Sequence, residues 1–163
     1  MNIMNKASHN SSPRSAAPAA RRQRSRLGAA LSIELIMVLP ILLVLLLAIV
    51  EFGILLMNSQ GVAAATNHGA REAALASSTR ASVEGAIDAA LARYTWRNNR
   101  EVLLFVNGAA DPTGALLAAA PSGTRVSVTV NVPMDKAAPD LLTFFGISIA
   151  GKELSTTYVT FKE

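Results

Sequence analysis

From Leu35 to Met57 the chain runs for 23 residues with one charge among them, Glu51. About 20 apolar residues are needed to cross the ~30 Å hydrocarbon layer of a bilayer as a helix, so this run is long enough to span. Its uncharged part, Leu35 to Val50, has 16 residues, which sets Glu51 close to one interface. Pro40 lies inside the run, and helices in membranes tolerate proline better than soluble helices do.

The charge distribution predicts an orientation. Six basic residues (Lys6, Arg14, Arg21, Arg22, Arg24 and Arg26) and no acidic one precede Glu34, whereas nine basic and nine acidic residues follow Glu51. The net charge of +4 therefore arises from the N-terminal flank. Lys and Arg concentrate on the cytoplasmic side of spans, which predicts a cytoplasmic N-terminus and export of everything after about residue 58. A basic flank beside an apolar run reads as a topology signal, so no nucleic-acid partner is expected. A cleaved secretory signal has an apolar core of roughly 7–15 residues, shorter than this run, which disfavours cleavage near Ala63–Ala65. Arg21-Arg22 lacks the hydrophobic residues expected soon after a twin-arginine pair. The chain has no cysteine, so its fold is not a disulfide framework.

Two carboxylates bracket the run. Glu51 comes 17 residues after Glu34, or about 25 Å along a helix, too far for the two to act as an acid–base pair. A charged side chain at the bilayer centre costs ~2.5–3.5 kcal/mol on insertion scales, so each needs solvent or a partner. Glu34 reads either as a solvated residue favoured by the helix dipole or as a group paired with a neighbouring subunit. Glu51 reads either as a residue snorkelling to the outer interface or as an inter-helix contact in an assembly.

Three stretches occur in order: "GAALSIEL" from Gly28, "VLPILLVLLLAIVEFG" from Val38 and "NSQGVAAATNHGAREAA" from Asn58. The set resembles the N-terminal region of TadE-like proteins, pseudopilins of the tight-adherence (Flp, type IVb) pilus system, over Gly28 to about Ala74. The resemblance implies a pilin-like fold and a structural role in pilus assembly, without enzymatic activity. It implies as partners the membrane, other pilus-assembly or pilin subunits, and a prepilin peptidase acting at Gly28 or Ala29. A cut after Gly28 makes Glu34 the sixth mature residue, and a cut after Ala29 makes it the fifth, the family spacing. Leu35 stands where the family usually has an aromatic residue. Under this resemblance Glu34 and Glu51 set helix register and subunit pairing, Glu34 facing the new terminal amine of an adjacent chain, where opposite charges attract strongly in low dielectric. The alternative is a membrane-anchored extracytoplasmic binding or sensing module outside any pilus.

Beyond the span, Asn58–Ser77 is rich in alanine and predicts outward continuation of the helix, with Gly61 and Gly69 as weak points. Ser77, Ser78 and Thr79 are cap candidates for an amphipathic helix from Ala81 to about Trp96, with Val83, Ile87, Ala90, Leu91 and Tyr94 at helical spacing. Trp96 among Arg93, Arg97 and Arg100 reads as a core aromatic under snorkelling arginines. Glu101–Val106 and "ELSTTYVTFK" predict strands. In "TRVSVTVNVP" Val126, Val128, Val130 and Val132 alternate with polar residues, the mark of a half-buried strand. Leu141, Leu142, Phe144 and Phe145 are expected to cover the core. His68 is isolated and no catalytic constellation is present, so no metal, cofactor or small-molecule substrate is expected. The acidic residues here read as surface charge.

Helix first and antiparallel strands later predict an α+β fold. Its parts are a disordered basic cytoplasmic tail (1–26), the processing-like motif with the transmembrane helix (27–57), and an extracytoplasmic α+β domain (58–163), all held in the inner membrane as a single-pass protein.

Overall fold

A computed structural model describes residues 19–163, with side chains from Ile33 onward. The expected tail disorder over residues 1–18 lies outside the described residues. Two compact units divide the chain, Met1–Leu42 and Leu43–Glu163. The described part of the first is helix alone.

Helix α1 spans Ala19–Ala74, 56 residues with Pro40 inside. It takes in residues 19–26, assigned above to the disordered tail, where Ala, Arg and Gln, all strong helix formers, make up seven of the eight residues. Gly61 and Gly69 do not interrupt it. They are close-approach positions: a Cβ on Gly69 would stand 2.7 Å from Ile87 Cγ1 and 3.5 Å from Val128 Cγ1. The helix ends where Ser78 Oγ donates to the Ala73 carbonyl (3.0 Å) and the Glu163 amide to that of Ala74 (2.7 Å), which satisfies acceptors that a helix end leaves open.

Helix α2, Arg80–Ala90, starts at a capping box in which Thr79 and Ser82 exchange side-chain to backbone bonds. It stops at Ala90, six residues short of the predicted Trp96. The reason is geometric. Trp96 lies nine residues after Ile87, about half a turn round a continued helix and so on its opposite face. Turning the chain at Leu91 lets Ile87, Leu91 and Trp96 all be buried, with the Tyr94 and Trp96 rings 4.7 Å apart.

The strands are β1 (Glu101–Val106), β2 (Ala109–Ala110), β3 (Arg125–Pro133) and β4 (Glu153–Phe161), in an antiparallel sheet of order β2-β1-β3-β4. The register sets Val102 opposite Val130 and Leu104 opposite Val128. Val126, Val128, Val130 and Val132 are fully buried, as their alternation predicts. They share one core with Val62, Ala65, Ala70 and Ala73 of α1 and with Val83 and Ile87 of α2. Among the described residues, the α+β class of the expected fold is observed.

Two short helices, α3 (Ala115–Ala119) and α4 (Met134–Ala137), fill connections. Asp111 is buried, not a surface charge: its carboxylate accepts the Leu117 amide (2.8 Å) and fixes α3. The segment after α4 departs from expectation too. Leu142 is buried and Leu141 half-buried, but Phe144 and Phe145 are exposed. A 3₁₀ turn over Thr143–Phe145, closed by Gly146 at φ 80°, turns these aromatics away from the core.

Candidate functional site

The apolar side chains between Ile33 and Val50 are exposed, apart from half-buried Val44, Leu47 and Ala48. The helix from Ile33 to Ala74 is long and apolar enough to cross a membrane. Burial changes abruptly at Glu51, which is only 3% exposed. From there a stripe of small or polar residues (Asn58, Val62, Ala65, Thr66, Gly69, Ala73) carries the head domain. The spacing of three, four and seven residues keeps the stripe on one face.

Glu51 opens that stripe. Its Oε2 accepts the amides of Leu141 (2.8 Å) and Leu142 (3.0 Å), 90 and 91 residues later in the chain. Seven residues on, two turns along the same face, Asn58 donates from Nδ2 to the Ala137 carbonyl at 2.6 Å. The two side chains pin the segment between α4 and the 3₁₀ turn to the helix. Hydrogen bonds to a charged group contribute about 1.5–3 kcal/mol each, so the pair at Glu51 offsets much of the cost of placing a carboxylate beside an apolar run. Within this chain, then, Glu51 is turned inward to backbone amides rather than out to solvent. Its partners are backbone amides, which side-chain patterns do not reveal.

The other expected site residues stand apart. Gly28 and Ala29 lie within α1, and their surroundings fall outside the described residues. Glu34 is exposed on α1, without an ion-pair partner among the described residues. Glu34 and Glu51 both lie on α1, 17 residues apart in sequence.

At the far end of α1 sits a buried lysine. Lys162 donates from Nζ to the Leu117 carbonyl (2.6 Å) and to Ser78 Oγ (3.2 Å), just beyond the helix terminus. A cation there is favoured by the partial negative charge of the helix end. Beside α2, a groove of about 540 Å³ is lined by Arg80, Glu84, Arg100 and β1. Arg80 is already engaged by Glu84 (2.7 Å) and by the carbonyls of Asp111 and Val102, so its charge serves to hold α2 against β1. Among the described residues no group of three or more His, Asp or Glu is placed to hold a metal ion.

No curated protein and no solved structure matches the chain. A family model described as TadE-like protein matches residues 28–71, from the glycine before Glu34 to Arg71 near the end of α1. Over this helix, with its exposed apolar run and its buried Glu51, the chain is similar to TadE-like proteins.

Proposed function

We propose that the protein is a structural, minor pilin-like component of tight-adherence pilus assembly, anchored in the inner membrane by α1. The basic N-terminal flank lies in the cytoplasm and the head domain on the far side, following the bias of Lys and Arg to the cytoplasmic ends of spans. Apolar faces of α1 pack side by side with helices of pilin or pseudopilin subunits. Glu34 sets their stagger by pairing with the terminal amine of a neighbour, a contact that repays burial only when both charges are present. A prepilin peptidase frees that amine by cutting at Gly28 or Ala29.

The observation that supports this reading best is the TadE-like match over residues 28–71, which ends inside the helix that carries both carboxylates. Two measurements test it. Mass spectrometry of the purified N-terminus should find a start at Ala29 or Ala30, and an intact arginine-rich flank would make the helix a permanent anchor. Affinity capture of the membrane-extracted protein should recover pilus-assembly components. Capture of none would favour a membrane-anchored extracytoplasmic module.

A further inference from the structure

We propose that the tip Phe144, Phe145 and Ile147 is a second membrane contact, inserted into the lipid interface beside Glu51, where the apolar part of α1 ends. This rests on the reading of α1 as a span and adds to it a head that is itself seated in the bilayer.

The first observation is depth. The segment is tied to α1 at Glu51 by the amides of Leu141 and Leu142. On the same face, three, four and seven residues toward the N-terminus, Ala48, Leu47 and Val44 are half-buried, while Leu45, Leu46 and Ile49 on the other faces are exposed. Partial burial on this face thus extends up to seven residues, about 10 Å, into the apolar run. A bilayer that reaches Ile49 and Val50 meets the tip as well.

The second observation is composition. Residues 137–151 carry one charge, Asp140, and its Oδ2 accepts the hydroxyl of Ser148 at 2.6 Å. At the apex Phe144 is 87% exposed, the highest value for any large apolar side chain among the described residues. It meets Phe145 edge to face at 5.2 Å, with Ile147 exposed alongside. Clustered exposed apolar groups mark membrane or protein contacts, and aromatic and apolar groups seat about 5–10 Å into the boundary between headgroups and acyl chains. Lys136 and Lys152 flank the segment, each beside an acid, Asp135 (3.2 Å from the Lys136 ammonium) and Glu153, so the flanks carry no net charge against it. An apolar tip nearly free of charge and a tether at the end of the span fit a lipid surface better than a protein groove.

The chain has no cysteine, so single-cysteine variants of the full chain can be read one at a time in lipid nanodiscs. Phe144→Cys, labelled with an environment-sensitive fluorophore, is compared with Leu45→Cys in the span and Ala119→Cys beside Leu117 near the C-terminal end of α1. Nitroxide-bearing lipids serve as the quencher. The proposal requires blue-shifted emission at Phe144→Cys and lipid quenching comparable to Leu45→Cys, with none at Ala119→Cys. Blue-shifted emission without lipid quenching means protein cover and overturns it, as does water-like emission. In either case quenching at Leu45→Cys leaves the span standing. Loss of quenching at Leu45→Cys overturns both.

Discussion

Glu51 and Leu142 are 91 residues apart in sequence and 3.0 Å apart in space, carboxylate oxygen to backbone amide. With the neighbouring bond from Leu141, this contact marks where the apolar run stops being free and the head domain begins. An acidic residue at that point is therefore a tether within one chain. Its removal should free the segment without unfolding the core, which lies farther along α1. In Glu51→Ala, amide exchange at Leu141 and Leu142 should accelerate about tenfold or more, since losing bonds of about 1.5–3 kcal/mol each exceeds the 1.4 kcal/mol that makes a decade. Glu51→Gln, which keeps an acceptor oxygen, should show a smaller change. Hydrogen exchange read by mass spectrometry in nanodiscs checks both. Unchanged exchange in Glu51→Ala would remove the tether from the account.

Gly69 and Gly85 should respond in opposite directions to the same substitution. A Cβ at Gly69 falls 2.7 Å from Ile87 Cγ1, so Gly69→Ala forces α2 or its isoleucine outward, with a loss of about 1–3 kcal/mol. At Gly85 a Cβ meets nothing within 4 Å. There Gly85→Ala should gain about 0.5–1 kcal/mol from helix propensity. Thermal unfolding of the two variants in one detergent gives the signs directly.

Lys162 is a buried cation whose partners are a carbonyl and a hydroxyl. Lys162→Met fills a similar space and leaves the Leu117 carbonyl without that donor, which should cost about 1–3 kcal/mol. Denaturant unfolding should show a lower midpoint for this variant, and an unchanged midpoint would mean that water replaces the ammonium.

Local patterns were legible wherever one element decides its own burial. The alternation from Val126 to Val132 identified the central strand because period two leaves one face apolar, and that face is buried. The apolar run identified, by its length, a helix long and apolar enough to cross a membrane. Thr79 was within reach as a cap because capping is local. Contacts closed by distant backbone were not legible. Nothing near Glu51 announces amides ninety residues away, and nothing near Asp111 announces that its carboxylate is buried. Trp96 misled for a related reason: helical spacing up to Tyr94 favoured continuation, but burying Trp96 required the helix to stop. Phe144 and Phe145 looked like core because aromatics usually are. Only the turn geometry after Leu142 turns them outward, and a near absence of charge from 137 to 151 was the signal in the sequence that could have flagged a surface of unusual kind.

The most direct test of the account is the side of the membrane on which the head lies. Ala119→Cys, exposed on α3 in a chain without other cysteines, should react with a membrane-impermeant maleimide in intact spheroplasts, to the same extent before and after permeabilisation. Labelling that appears only once the membrane is opened would put the head in the cytoplasm and contradict both the orientation and the pilus role.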